Sequence, residues 1–419
     1  MKQLVSRLAR VGRRAVVASG VPARTDRLVV SRNARGAARA PGAGTHLVLA
    51  APGGGNIGDQ ALLEALLENT AGPVSLVVPD AAQVQLPAEF ADRVELLVIP
   101  HLVYGTGRAH LAAVARFGRA LASATDLSVV GADVMDGRYS LPASVRRSTL
   151  ATAAARAGVP TRVVGFSWSD RARPTARRAL ARAGRSGVRL LLRDPLSAER
   201  ARRDGIAPVE EVADVVFAAR SVDRSAADEL LAGVTGPVAL VNASGLLAGR
   251  LDQTEDYVRI VEGLRQRGLH VVLLPHVSRR PGDDVTACAA VAARVGTDRV
   301  SQVHRLLTPA QVRGLTERAA VTVTGRMHLA VMSLLNGVPA ITLATQGKVE
   351  GLVQLFAAPE LCVDPRAGFA ATVLDVVDRV LPEGSDVRTS IRAALPRVVE
   401  LARRNVDGLP AVELSRGAA

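Results

Sequence analysis

The chain has 419 residues, 48% of them hydrophobic and only 2% aromatic, and carries a formal charge of +14 from 53 basic and 39 acidic residues. That length exceeds one compact core and predicts two domains of ordinary size. The shortage of aromatic rings argues against an aromatic-rich β-sandwich and against a base-stacking nucleic-acid platform, leaving Ala, Val and Leu to pack helices on parallel sheets. No run of about 18 apolar residues exists, so no membrane-spanning helix is expected. Two cysteines, Cys288 and Cys362, are too few for a metal cluster or a disulfide framework and read as buried thiols of a reduced, cytoplasmic protein.

The charge is uneven. Residues 1–45 hold ten Lys or Arg against Asp26 alone. Leu4, Leu8, Val11 and Ala15 fall at helical spacing with arginines between them. This basic segment reads either as a flexible, solvated tail or as a stretch lying on an anionic membrane surface through residues 1–40, with a transit-peptide-like signal as a third reading. Beyond it the charges are close to balance, so no nucleic-acid partner is expected.

After a Gly/Ala/Pro-rich stretch at 36–45, apolar runs at 46–51, 74–78, 94–99, 127–131, 162–167 and 188–192 predict buried parallel strands, with helices at 59–69, 110–124 and 144–157 between them. Small and polar residues at 221–236 read as a linker. A second series of strands follows at 238–242, 269–274, 320–324 and 338–343. The fold class expected is α/β: two Rossmann-like domains with parallel sheets, facing across a cleft in a GT-B-like arrangement, with ligands at the carboxyl ends of strands. The domains are placed at 46–225 and 236–380, between the basic segment 1–45 and a helical tail at 381–419. The region from about 366 is expected to pack back onto the first domain.

The loop Pro52-Gly53-Gly54-Gly55-Asn56-Ile57-Gly58-Asp59-Gln60 leaves the first strand and opens the first helix. Gly53, Gly55 and Gly58 satisfy G-x-G-x-x-G, with Asp80 past the next strand, which is a dinucleotide fingerprint in the right context. Asp59 opposes that reading, because it puts a carboxylate where a pyrophosphate would meet helix N–H groups. A plain βα loop capped by Asp59, and a loop whose Asn56 and Asp59 hydrogen-bond a hydroxylated substrate, stay open beside it.

Among 53 basic residues only Lys2 and Lys348 are lysines. A lysine kept inside the folded chain suggests a site that needs a compact ammonium. With Arg326 and His328 in Thr324-Gly325-Arg326-Met327-His328 at a helix mouth, it predicts a site for a small anion. His276, ending a strand with Asp283 and Asp284 nearby, is placed at the edge of the same cleft. Asp214 reads equally as a structural cap or a site residue. The histidines are scattered without ligand spacing, so no metal is expected, although magnesium carried by a donor phosphate stays open.

These residues together resemble the polysaccharide pyruvyl transferase family. Asn56-Ile57-Gly58-Asp59-Gln60 is similar to its Asn-x-Gly-Asp-Glu motif, with Gln60 for the usual Glu. Arg193-Asp194-Pro195-Leu196-Ser197 is similar to its Arg-Asp-x-x-Ser turn, and Ala213-Asp214 to its Ala-Asp pair. Thr324–His328, Asn336-Gly337-Val338-Pro339 and Lys348 resemble its C-terminal Ser-x-Arg-x-His, Gly-x-Pro and Lys series. The matches run in order from residue 46 to about 356. The resemblance departs at Gly131–Gly137 and Gly165–Ser169, in the half expected to bind the acceptor.

What the resemblance implies is transfer of a pyruvyl group from phosphoenolpyruvate to two hydroxyls of a sugar, as a ketal, in a cell-envelope polysaccharide or its precursor. It implies His328, Arg193 and Lys348 as catalytic residues, with the donor on the second domain and no cofactor. Asn56, Gly58, Asp59 and Arg326 are expected to bind substrate from the reading of their own motifs, with a loop-buttressing role open for Arg326. His276, by its place at the cleft edge, is open equally to a substrate-binding and a loop role. The partners are then phosphoenolpyruvate and a saccharide or lipid-linked saccharide, with the protein cytoplasmic or peripheral at the inner face of the membrane. Two alternatives stay open: a GT-B-like glycosyltransferase using a nucleotide sugar, and a non-catalytic membrane-associated assembly protein.

Overall fold

The computed structural model describes residues 20–34, 44–247, 252–279, 282–344 and 347–412. Contacts divide the chain into two compact units. The first takes the described residues of 1–52, 69–212 and 405–419; the second takes 53–68 and 213–404.

The first unit is built on seven strands: β1 Thr45–Leu49, β2 Val74–Val78, β3 Val94–Val98, β4 Ala124–Ala132, β5 Thr161–Phe166, β6 Arg189–Leu192 and β7 Glu210–Glu211. Their order is β3-β2-β1-β4-β5-β6-β7 and every pairing is parallel. Strand order reverses beside β1, as in the doubly wound fold. The run Val74-Ser75-Leu76-Val77-Val78 is nearly all apolar because a strand covered by helices on both faces needs no polar alternation. The second unit repeats the scheme with β8 Val238–Asn242, β9 His270–Leu273, β10 Val300–Gln302, β11 Ala319–Thr324, β12 Ala340–Leu343 and β13 Cys362–Val363. Its order is β10-β9-β8-β11-β12-β13, again parallel throughout. Two Rossmann-like parallel sheets are therefore present.

The domain boundaries differ from those expected. The loop and helix after β1, residues 53–68, belong to the second unit, and Glu68 at the end of that helix shows how they are held there. Its buried carboxylate accepts from the Arg220 and Ser221 N–H groups and from Arg313, 3.3 Å away. The stretch 221–236 is not a plain linker, since Ser225–Leu230 is helical. The helices Phe369–Val380 and Asp386–Arg403 stay with the second unit, and only residues from Asn405 return to the first. There the Asn405 side-chain oxygen accepts from Gly165 N–H at 2.9 Å, and its carbonyl from Arg162 at 3.2 Å.

Within the basic segment 1–45, residues Val21–Ala34 form a helix. It buries Val30 and Asp26 against the helices Gly107–Ala122 and Leu141–Arg156, so this part is neither a free tail nor wholly surface-lying. Asp26 lies 3.0 Å from His110 Nε2, whose Nδ1 faces the His101 carbonyl at 3.0 Å. The expectation for residues 1–19 and 35–43 falls outside the described residues.

At the amino ends of β1 and β4, His46 Nε2 lies 2.9 Å from Ser128 Oγ and 3.2 Å from Asp126. All three side chains are buried. Burial outweighs the Asp126 charge and lowers the His46 pKa to about 4. The unfolded chain, with His near 6.5, then binds more protons than the folded one between these values, so folding stability present above about pH 6.5 is lost as pH falls toward 4. A His46→Gln variant, which keeps a hydrogen-bonding group but cannot titrate, is expected to show a flatter decline of melting temperature between pH 7 and pH 4 in parallel thermal scans; an unchanged slope would contradict this.

Candidate active site

The second unit gathers most of the expected site residues at the carboxyl edge of its sheet, beside the point where strand order reverses between β8 and β11. Asn242 and Thr324, the last residues of these strands, are paired in register. The Thr324 hydroxyl lies 3.3 Å from Asn242 Oδ1 and accepts from the Arg326 N–H at 2.9 Å. This turns the chain tightly into the helix Met327–Leu335, whose first turn carries His328. The crevice outside such a switch point, with a helix N-terminus in it, is a ready anion site.

A buried carboxylate organises the loops around it. Asp284, fully buried at the start of the helix Asp284–Val295, accepts from the N–H groups of Gly245, His276 and Val277 at 2.9, 3.2 and 3.0 Å. It also accepts from the Asn242 amide at 3.1 Å and from Arg326 Nη2 at 2.6 Å and Nε at 3.1 Å. Arg326 Nη2 donates further to the Gly282 carbonyl at 2.7 Å. The structure therefore makes Arg326, expected as a substrate ligand, a strut that gives two of its three nitrogens to the protein.

The loop before the helix Ile57–Glu68 is zipped against the segment after β9. Ile57 N–H donates to the His276 carbonyl at 3.2 Å, Ser278 N–H to the Gly55 carbonyl at 2.8 Å, and Asn56 forms an antiparallel bridge with Val277. Gly55 has φ +70°, and a Cβ there would lie 2.3 Å from the Ser278 carbonyl oxygen, so only glycine fits. The Asn56 side chain accepts from the Gly58 N–H at 3.0 Å, closing the turn into the helix. Asp59 is buried in the first helical turn, 3.9 Å from Arg279. A carboxylate there satisfies the positive helix end itself, which leaves little for a pyrophosphate.

Gly58 explains the spacing of two motifs far apart in the sequence. A Cβ on it would lie 2.2 Å from His328 Nδ1 and 3.0 Å from His328 Cβ, so the imidazole rests directly on the glycine backbone. Its other nitrogen, Nε2, lies 3.4 Å from Asp214 Oδ2. Asp214 is itself buried, and its Oδ1 accepts from Val216 N–H at 3.0 Å. His328 is thus held between a glycine, which leaves it room, and a carboxylate, which orients it. That geometry suits an imidazole that moves protons.

His276 lies close by. Its backbone is tied on both sides, to Asp284 and to Ile57, and its ring is fully buried with neither nitrogen hydrogen-bonded among the described residues. Burial first, then the His328 and Arg326 charges, push its pKa well below the ordinary value, so this imidazole is neutral. Lys348 follows β12, which runs parallel to β11, and so leaves the sheet at the same edge as His328. It is half-buried at the start of the helix Val349–Gln354.

Arg193 belongs to the first unit. It is buried after β6, donating to Ser167 Oγ at 2.8 Å and pairing with Asp133. Asp194 caps its own helix: its carboxylate accepts from Ser197 N–H at 2.7 Å and Ser197 Oγ at 2.6 Å, and Ser197 Oγ accepts from Trp168 N–H at 3.0 Å. The Arg-Asp-x-x-Ser turn is in this way explained by capping as well as by any ligand. Among the described residues no cluster of three or more His, Cys, Asp or Glu could hold a metal ion.

Comparisons with known proteins follow the fold and one motif series. A family model described as polysaccharide pyruvyl transferase matches residues 56–347. A search of curated proteins finds no match. Among solved structures, the UDP-GlcNAc 2-epimerase from Methanocaldococcus jannaschii is 13% identical with a TM-score of 0.52, covering 85% of this chain and 99% of its own. A UDP-glucosyltransferase from Polygonum tinctorium is 13% identical with a TM-score of 0.51, covering 86% and 97%. At such identities the likeness shows the fold alone, the two-sheet GT-B-like architecture.

Two substitutions test this geometry. Asp284→Asn leaves the Arg326 charge without its buried partner, and is expected to cost the second unit about 3 kcal/mol or more, read as a lowered urea midpoint; a midpoint equal to wild type would show that Asp284 organises nothing. Gly58→Ala should leave the melting temperature within a few degrees of wild type but shift the NMR resonances of the His328 ring, which must move off the helix. Unshifted resonances would mean that the contact is not tight.

Proposed function

We propose a donor and a reaction for this chain on the premise that it belongs to the polysaccharide pyruvyl transferase family, as the match over residues 56–347 shows. The donor is phosphoenolpyruvate and the product is a ketal on a saccharide. The observation that carries the reading is His328: an imidazole on the first turn of a helix at the sheet's switch point, oriented by Asp214 and seated on Gly58.

Phosphoenolpyruvate brings a phosphate and a carboxylate. The N–H groups that open the helix Met327–Leu335 and the ammonium of Lys348 suit these anions. Arg326 acts through Asp284 and keeps the loop in place. In the reaction one acceptor hydroxyl adds through oxygen to C2 of the enol phosphate while a proton reaches C3, making the methyl group. The C2–O bond to phosphate then breaks, and a second hydroxyl closes the ring at C2. Of the two protons leaving the diol, one ends in the methyl group and the other on phosphate, so the products are a ketal and inorganic phosphate. His328 is the group that carries these protons. Arg193, held by Asp133 and Ser167, has its charge matched within the first unit, and its part in this chemistry rests on the resemblance alone.

The acceptor in this reading is a sugar of a cell-envelope polysaccharide or its lipid-linked precursor, used on the cytoplasmic side. Among the described residues no helix is long and apolar enough to cross a membrane. The test is phosphate release from phosphoenolpyruvate over a panel of hexose and N-acetylhexosamine acceptors. His328→Ala is expected to lower kcat by about a hundredfold or more, and Lys348→Ala to raise KM for phosphoenolpyruvate with a smaller change in kcat. Binding of a nucleotide sugar with none of phosphoenolpyruvate would replace this reading with a glycosyltransferase, and unchanged rates in both variants would remove catalysis from this site.

A further inference from the structure

The first unit carries a charge pattern that the chemistry above does not use. Residues 137–193 contain thirteen arginines and a single acidic residue, Asp170. Two helices from this stretch, Leu141–Arg156 and Pro174–Arg185, contain no Asp or Glu. They pack side by side, and Val21–Ala34 packs against Leu141–Arg156. The one acid of Val21–Ala34, Asp26, is turned inward to His110.

The outward side of Val21–Ala34 is ordered. At a hundred degrees per residue, Arg27, Arg24, Leu28, Val21 and Arg32 follow one another around it, opposite the buried Asp26 and Val30. Val21 and Leu28 are 60% and 66% exposed, among the few large apolar side chains left to solvent. Arg24, Arg156 and Arg182 are exposed and Arg27 half-buried. These four, drawn from three helices, lie close enough to repel: after burial, the charges of Arg182, Arg156 and Arg24 lower the Arg27 pKa. Among the described residues no carboxylate forms an ion pair with any of the four. Like charges gathered at a surface cost folding free energy, so the arrangement is explained by something anionic outside the chain rather than by the fold.

We infer that this helical face, with Arg24, Arg27, Arg156 and Arg182 around the exposed Val21 and Leu28, docks on an anionic phospholipid surface. Charge complementarity selects an anionic partner, and the two exposed aliphatic side chains set among arginines suit the headgroup boundary better than a dissolved polyanion. The residues before Val21 extend the same chemistry in the sequence, with Leu4, Leu8 and Val11 interleaved with Arg7, Arg10, Arg13 and Arg14. The inference goes beyond the donor chemistry and does not depend on it.

Co-sedimentation of the full chain with phosphatidylcholine vesicles, with and without phosphatidylglycerol, tests it. Wild type is expected to bind only the anionic vesicles, and less as salt rises. The variant R24Q/R27Q/R156Q/R182Q should bind more weakly by about fivefold per arginine, on the order of six hundredfold in all. V21S/L28S should lose the part of binding that survives high salt. Thermal scans check that both variants fold; R27Q alone should melt no lower than wild type, because it relieves repulsion. Equal binding by wild type and the fourfold variant would assign the membrane to residues 1–19 alone and overturn the inference. Binding to neutral vesicles as tight as to anionic ones, or no vesicle binding, would also overturn it. Retention of soluble dextran sulfate without vesicle binding would instead make the face a polyanionic-glycan site. Phosphate release with a soluble acceptor should be the same in all variants, so a failure of the donor reading shows separately, as no release by wild type.

Discussion

The carboxylate of Asp284 is the constraint on which the geometry of the candidate site depends. It ends β8 through Asn242, fixes the loop after β8 through Gly245, fixes the loop after β9 through His276 and Val277, and holds Arg326 ahead of the helix that carries His328. A charge buried this completely is tolerable only because Arg326 neutralises it and the N–H donors surround it. The converse matters more. Without the carboxylate, three backbone N–H groups and an amide lose their acceptor, each worth about 1–3 kcal/mol when left buried and unsatisfied. The loops could then not hold their present positions together.

From that anchor the order runs outward by contact. Asp284 places the His276 backbone, whose carbonyl accepts from Ile57 N–H, and this seats the Asn56–Asp59 turn. Gly58 in that turn then leaves the space that the His328 ring fills, and Asp214 faces the ring from its other nitrogen. Three short motifs far apart in the chain are thus one steric and electrostatic unit. The glycine of Asn-Ile-Gly-Asp serves close packing of an imidazole rather than the backbone approach of a dinucleotide phosphate.

Much of this was legible because buried parallel strands are written as short apolar runs. Val74–Val78 and Val238–Asn242 have the bounds their sequences predict. The strands that sequence reasoning missed, Glu210–Glu211, Val300–Gln302 and Cys362–Val363, are short edge strands. Two or three residues carry no period, and a charged pair such as Glu210-Glu211 suits an edge. The membership of residues 53–68 was hidden for another reason: a helix that follows its strand is ordinarily read into the same domain, and the contacts of Glu68 with Arg220 and Arg313 are long-range facts. At the site, His328 and Lys348 stood out by residue type and position. Asp284 did not, because an acid before an apolar helix is read first as a cap, and nothing in a linear pattern shows that it points inward to five partners. The partner of Arg193 was not legible either, since Asp133 follows β4, two strands away from β6 in the sheet and sixty residues away in the sequence.

The arginines divide into two populations, and the division separates fold from function. Arg326 faces Asp284, Arg313 faces Glu68 and Arg193 faces Asp133, each buried or nearly so and matched by a carboxylate, while buried Arg162 donates to the Asn405 and Asp407 carbonyls. Compositional bias alone would scatter the remaining arginines over the surface among acids, as at Arg189 with Glu210 and Arg202 with Glu211. On the face formed by Val21–Ala34, Leu141–Arg156 and Pro174–Arg185 the acids are missing, and the arginines repel one another. A GC-rich coding bias can account for Arg in place of Lys, but it does not remove Asp and Glu from two whole helices. What that face needs, the fold does not supply.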